Sequence, residues 1–240
     1  MGALEEILQR HPVWRGGALA QDPQALPSGF AALDAELPGG GWPSQALTEV
    51  LADETGIGEL ALLLPAFARL TSAGKRVIWI GPPHVPYAPA LAAGGVDLAN
   101  LLIVQPRSRR DGLWAAEQAL RAASCHALAA WLPKARYAEL QRLAVAAQAS
   151  RAAAFIFRAR AARAESSPAC LRLALEPAGA ALAVHIMKRR GLPLAAPRNT
   201  NDFTICPTVT PHAAAACSAV RVGCVISATA TSRPSAFAAS

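Results

Sequence analysis

Long apolar runs are absent from the sequence. No stretch of eighteen uncharged apolar residues occurs, which excludes an ordinary membrane-spanning helix. The first residues include Glu5 and Glu6, where a secretory signal would carry Lys or Arg ahead of an apolar run. We therefore expect a soluble cytoplasmic protein that contacts no membrane.

The sequence also lacks the spacings of a metal site or a disulfide framework. Its five cysteines form no CxxC pair, and its five histidines show no ligand spacing. We therefore expect no metal and interpret the thiols as buried or incidental, since cytosolic thiols are normally reduced. The cysteines are Cys125, Cys170, Cys206, Cys217 and Cys224.

Acidic side chains are scarce in the second half of the chain. Residues 1–103 hold 5 basic and 10 acidic side chains, whereas residues 104–191 hold 15 basic and 5 acidic ones. Clustered Lys and Arg attract phosphates and acidic partners, so this half predicts either a binding face or a solvated basic surface. Charge alone does not separate these two interpretations.

Hydrophobic residues are abundant, at 53% of 240 residues, enough for one sizeable core. Short β-type runs alternate with longer helical segments, which predicts an α/β fold with a mostly parallel central sheet and helices on both faces. The predicted strands are Ala46–Leu51, Val77–Ile80, Leu101–Val104, Ala127–Trp131, Ala153–Phe157, Leu171–Leu175 and Ala181–Met187. The last two face each other across Glu176–Gly179 and predict a C-terminal β-hairpin.

Helical patterns separate the first five strands, near 57–72, 87–93, 111–123 and 135–149. Ahead of them, residues 1–37 predict a helical and extended segment, and residues 38–191 form the predicted core. Residues 192–240 are rich in Ala, Ser, Thr and Pro and predict a disordered tail.

The loop after the first core strand resembles a phosphate-binding loop in its architecture. A working loop reads GxxxxGK[ST], in which backbone N–H groups and Lys hold the phosphates and the hydroxyl holds Mg²⁺. Here Gly58 fits the second glycine, but Asp53 replaces the first, Glu59 the lysine and Leu60 the hydroxyl. Taken alone, Gly56 to Gly58 is also an ordinary turn into a helix, with Glu59 complementing the helix dipole.

A resemblance to RecA extends along the core. It rests on two groups of segments that match in order and spacing: Leu26-Pro27-Ser28-Gly29, Leu33-Asp34, Gly40-Gly41-Trp42-Pro43 and Glu49, then Gly95 to Leu102 with Gln105-Pro106. Four further segments resemble the ImuA family of RecA-like proteins: Pro38–Pro43, Pro82–Leu91, Leu113–Leu120 and Ala130–Pro133. The resemblance covers residues 13–191 and implies a RecA-like P-loop core.

The resemblance also implies a pocket without catalytic residues. The acid that activates water in RecA falls at Pro83, and the Mg²⁺-associated acid falls at Trp131. Proline accepts no proton, and indole has no metal-binding oxygen. With Glu59 and Leu60 in the loop, four functional groups are missing together, so we expect no ATP hydrolysis and no cofactor.

The ImuA resemblance implies an adaptor in the SOS DNA-damage response and translesion synthesis. Its partners would be ImuB, a Y-family polymerase relative, a DnaE-type polymerase and RecA, with DNA reached directly or through them. Candidate contacts are basic residues: Arg107, Arg109, Arg110, Arg158, Arg160, Arg163, Lys188, Arg189 and Arg190. The alternatives are a SulA-like cell-division inhibitor that binds FtsZ, and an ATP-dependent DNA-binding RecA-like protein.

Aromatic residues leave one question open. Trp79 and Trp114 lie in apolar segments and predict core positions, whereas Trp42 and Trp131 fit either the core or a surface that stacks on bases. His84, between two prolines, has no nucleophile or carboxylate partner arranged near it in sequence and is interpreted as structural.

Overall fold

A computed structural model describes residues 25–37, 39–178, 181–189 and 202–205. The helices are α1 (Ala31–Asp34), α2 (Glu59–Ser72), α3 (Ala88–Ala93), α4 (Arg109–Arg121) and α5 (Tyr137–Ser150), with 3₁₀ turns at Leu98–Asn100 and Arg160–Ala164. The strands are β1 (Ala46–Ala52), β2 (Val77–Ile80), β3 (Leu101–Val104), β4 (Ala127–Trp131), β5 (Ala153–Ala159), β6 (Leu171–Ala178), β7 (Ala181–Arg189) and β8 (Asp202–Ile205).

These strands form one mixed sheet in the order β3-β2-β4-β5-β1-β6-β7-β8. The neighbours from β3 to β6 pair in parallel, and β7 and β8 each pair antiparallel to the strand before them. Central strands such as β2 are buried throughout, as expected of a parallel sheet covered on both faces. The predicted α/β fold and hairpin are confirmed.

The core has two layers, one on each side of the sheet, because neighbouring residues of a strand point to opposite faces. Trp79 contributes to the layer that α2 covers, and Ile78 contributes to the layer that α4 and α5 cover. In the first layer Phe155 makes edge-on ring contacts with Trp42 at 5.4 Å and with Phe67 at 5.9 Å. Helices therefore cover both faces, as predicted.

The chain ahead of β1 packs against this core. Leu26 pairs with Trp42 in an isolated antiparallel bridge, and Leu33 and Leu37 are fully buried. A Cβ on Gly41 would lie 2.5 Å from the Leu26 carbonyl oxygen, so the two segments approach too closely for any other residue. The boundary predicted at residue 37 falls inside this packed region, while residues 1–24 lie outside the described part.

Two sequence predictions differ from the structure. Residues 202–205 were expected in a disordered tail but form strand β8 on β7; the rest of that tail lies outside the described residues. Trp114 was expected in the core but is 63% exposed, because Gly112, Ala116 and Leu120 form the inner face of α4.

None of the helices within the described ranges combines the length and the apolar character that a membrane span requires.

Candidate functional site

The candidate site lies at the edge of the sheet where the parallel strands end. Asp53 follows β1, Pro83 lies beyond β2, and Trp131 is the last residue of β4. In the sheet, β4 and β5 separate β2 from β1, yet Thr55 Oγ1 lies 3.3 Å from His84 Nε2. The loops after β1 and β2 therefore meet at this edge.

The loop between β1 and α2 is closed by its own carboxylate. Glu59 begins α2, and both of its carboxylate oxygens accept the Gly56 N–H, at 3.1 and 3.0 Å. The Glu59 residue is only 6% exposed. The backbone reaches this arrangement through positive φ angles of 85° at Gly56 and 98° at Gly58, which glycine adopts without strain.

The Glu59 carboxylate thus lies at the start of α2, where the helix dipole and the Gly56 N–H favour a negatively charged group. A working phosphate-binding loop fills that environment with a phosphate group and surrounds it with Lys and a hydroxyl. In this chain the Glu59 carboxylate takes the Gly56 amide, and the half-buried Leu60 follows it. The residues present therefore do not fit a bound triphosphate.

An arginine with two carboxylate partners borders the loop. Arg160 donates to the Asp53 carboxylate at 3.3 Å and also pairs with Glu176 of β6. The side chain of Arg160 is about one-third exposed, at 32%. The sequence assigned Arg160 to partner or DNA contact, but its guanidinium is shared between two carboxylates of the same chain.

Trp131 lies at the end of β4 in a row of aromatic rings. It stacks on Phe157 with ring centroids 4.6 Å apart and planes 9° apart, and it makes an edge contact with Trp79 at 6.0 Å. Its indole nitrogen is buried and has no hydrogen-bond partner among the described residues. Pro83, which follows β2 at the same edge of the sheet, is exposed. Neither side chain provides a carboxylate for proton transfer or metal binding.

A buried charge network joins β1, the strand that leads into the loop, to its two neighbouring strands, and the sequence did not predict it. Glu49 in β1 is fully buried and accepts from Arg158 of β5 and from Arg172 of β6, each at 2.6 Å. Arg158 also donates to Glu165 at 2.7 Å and to the Ala135 carbonyl at 2.5 Å. The network thus joins three adjacent strands.

Arg158 is consequently not a surface contact, contrary to the sequence-based assignment. It is 4% exposed, and its two terminal nitrogens donate to groups of the same chain. Burial alone would lower the pKa of the Arg158 guanidinium, but the hydrogen bonds and charges of Glu49 and Glu165 raise it above its ordinary value. Single charged residues inside the apolar runs of β1, β5 and β6 were the available signal for this network.

The remaining basic candidates divide into two groups. Lys188 donates to the Ser167 carbonyl at 2.7 Å, and Arg189 donates to the Glu36 carbonyl at 2.7 Å, so both act within the chain. Four others are exposed: Arg107, Arg109, Arg110 and Arg163. Arg190 lies outside the described residues. The exposed cluster at the start of α4 is therefore the main basic surface that remains from the predicted set.

Comparisons with known proteins identify relatives of the central part of the chain. No protein-family model matches the sequence. The chain is 32% identical over 125 residues to the protein RecA of a Picosynechococcus species, a match covering 52% of this chain and 35% of that protein. It is 38% identical over 104 residues to RecA of Acholeplasma laidlawii, covering 42% of this chain and 30% of that protein.

A longer match, 30% identical over 156 residues, joins 62% of this chain to 40% of RecA from a Synechococcus species. The chain thus spans less than half the length of these curated relatives. Among solved structures, the crystal structure of SulA from Pseudomonas aeruginosa matches with a TM-score of 0.41 and 24% identity, over 47% of this chain and 97% of that one. The sequence relatives alone show that the chain is similar to RecA in sequence, and the ImuA resemblance stays a prediction.

Proposed function

We propose that the chain is a non-catalytic RecA-like adaptor in the SOS DNA-damage response, which docks onto polymerases during error-prone translesion DNA synthesis. Its partners would be a Y-family polymerase relative of the ImuB type and a DnaE-type polymerase. The observation that carries the proposal is the Glu59 carboxylate, which accepts the Gly56 N–H inside the loop that would otherwise hold phosphate.

Electrostatics supports the loss of nucleotide binding. Replacing a cation by a carboxylate reverses a Coulomb interaction of roughly 4 kcal/mol per charge pair at about 4 Å and an effective dielectric near 20. Asp53 and Glu54, exposed in the same loop, add to the repulsion of a triphosphate. The reversal changes the interaction by about 8 kcal/mol before screening by solvent, which is comparable to the roughly 8 kcal/mol of micromolar binding.

The catalytic positions support the same proposal. Hydrolysis needs a group that orients the attacking water and a carboxylate that holds Mg²⁺. The resemblance to RecA assigns these roles to the positions of Pro83 and Trp131, and the Trp131 ring packs against Phe157. An ATPase would need both groups restored as well as the loop.

An adaptor needs a rigid frame rather than a turnover site. The Glu49 network ties β1 to β5 and β6, and the buried rings on the α2 side of the sheet fix the strands against that helix. The exposed basic residues at the start of α4 offer a surface for acidic partners. These features suit a platform that binds proteins without changing shape on ATP hydrolysis.

The experiment is co-purification of the full chain with the purified Y-family relative and the DnaE-type polymerase, with and without Mg²⁺-ATP. We expect a stable complex whose yield does not depend on nucleotide. Failure to form any complex would contradict the proposal. A SulA-like role would instead suppress FtsZ polymerisation at near-stoichiometric ratios, and we expect polymerisation to continue unchanged.

A further inference from the structure

Trp114 is the most conspicuous exposed apolar residue of the described chain. It is the one tryptophan among the exposed large hydrophobic residues of that region, and its residue is 63% exposed. A ring of this size in water forfeits the free energy that burial would give, and tryptophan is one of the residue types enriched among binding hot spots. A surface that keeps such a ring exposed therefore points to binding.

The ring lies in a groove of about 440 Å³ between α4 and α5. Leu113 and the buried Leu143 contribute the apolar lining. The polar wall is held in place from within, because the buried Glu117 pairs with Arg142 of α5 and with Arg121 at 2.8 Å. A partner would meet a groove that is already ordered, which reduces the entropy lost on binding.

The charges of the groove favour an acidic partner. Arg110, which lines it, and Arg107, three residues before it in the chain, have no ion pair with any carboxylate of the described residues, whereas Arg109 pairs with Glu139. Free guanidinium groups beside an apolar ring suit a carboxylate next to a bulky apolar side chain.

We infer that this groove docks a short segment of a partner protein that inserts one bulky apolar side chain beside Trp114 and presents acidic side chains to Arg110 and Arg107. Single-stranded nucleic acid fits less well, because a strand needs successive rings to stack on and Trp114 is the one aromatic residue among the described residues that line the groove. The inference rests on the proposed adaptor function, for which it names the docking surface.

The test selects a displayed random peptide library on the full chain and measures the affinity of the selected peptides by fluorescence anisotropy. We expect a consensus with one bulky apolar residue and flanking Asp or Glu. Trp114→Ala and Arg110→Glu should each weaken binding at least about 10-fold. The matched control is Val145→Ala. Val145 on α5 is an exposed apolar residue like Trp114, but it is not among the residues that line the groove. This substitution should change the affinity less than about 2-fold.

Equal affinity for the wild type and Trp114→Ala would overturn the inference, as would the absence of any enriched peptide. Labelled oligothymidine is the second probe. Binding of oligothymidine that is lost in Trp114→Ala, without peptide binding, would assign the groove to nucleic acid and also overturn it. If peptides bind as expected but the polymerases do not co-purify, the adaptor function fails while the docking groove stands.

Discussion

The guanidinium of Arg158 donates to the carboxylate of Glu49 at 2.6 Å across two neighbouring parallel strands, with both side chains almost completely buried. The carboxylate has a second guanidinium partner in Arg172, so it is neutralised from both sides. Charges removed from water in this way are stable only while every partner is present. This dependence makes the network the most sensitive point of the fold.

We expect Glu49→Ala to destabilise the protein by about 3–5 kcal/mol, because it leaves two guanidinium groups buried without their carboxylate. Urea denaturation followed by circular dichroism measures the change. Arg163→Ala is the matched control, since Arg163 is exposed, and it should change stability by less than about 0.5 kcal/mol. A loss below about 1 kcal/mol for Glu49→Ala would contradict this prediction.

Restoring the loop should restore binding without catalysis. In Glu59→Lys combined with Leu60→Thr, the Gly56 N–H is released and a cation and a hydroxyl become available for phosphate and Mg²⁺. We expect calorimetry to detect weak Mg²⁺-ATP binding in this variant and none in the wild type. Phosphate release should stay at background in both, since Pro83 and Trp131 supply no carboxylate.

The control for this variant is Glu54→Lys, which makes the same charge change at an exposed residue of the same loop. It should not create ATP binding, because Glu59 still holds the Gly56 amide. Tight Mg²⁺-dependent ATP binding by the wild type would contradict the interpretation of the loop.

Cys125 gives a prediction about pH. Burial raises the pKa of the Cys125 thiol to about 11, although the charge of Arg76 acts in the opposite direction. A thiol in the unfolded chain has a pKa near 8.5. The folded state therefore keeps the proton that the unfolded state loses, so the contribution to stability is complete below about pH 8.5 and is lost as the pH rises toward 11.

We expect the wild type to lose stability relative to Cys125→Ala between pH 8.5 and 10.5, by an amount on the order of 2 kcal/mol. Urea titrations of both proteins at the two pH values measure it. Peptide mapping after alkylation at pH 8 should also find Cys125 unmodified in the folded protein. An unchanged difference between the two proteins across this range would contradict the raised pKa.

Gly41→Ala tests the contact between the segment before α1 and the core. The added methyl would overlap the Leu26 carbonyl, and a backbone atom cannot move aside as a flexible side chain can. We expect a loss of about 1–3 kcal/mol in the free energy of unfolding. Gly40→Ala, with open space around its Cβ and a φ of 78°, should show backbone strain of about 1 kcal/mol without the overlap.

The sequence was sufficient for the order and type of the elements, because buried strands such as Val77–Ile80 are short apolar runs between Gly, Pro and charged residues. The sequence did not predict that Trp114 is exposed, because the apolar segment around it does not reveal which face of α4 packs inward. The sequence also missed the pairing of Arg158 with Glu49, since these residues lie 109 positions apart and meet only through the pairing of β1 with β5.

The Glu59 contact was more accessible to sequence reasoning, because the two groups lie three residues apart and a carboxylate at the start of a helix is favoured by the dipole. The sequence assigned Glu59 to the missing lysine position but did not predict that it would accept the Gly56 amide. That detail depends on the positive φ angles at Gly56 and Gly58, which turn the amide toward the helix.

The anion in this loop is the side chain of Glu59, so it is part of the protein and is always available to the Gly56 N–H. In enzymes that bind triphosphates, such a loop and its neighbours change conformation as the terminal phosphate arrives and leaves, and this timing orders the steps of binding and release. Under the proposed function, Glu59 occupies that place and no nucleotide sets this timing. Assembly with partners would then follow how much of each protein the cell makes, and not its energy supply.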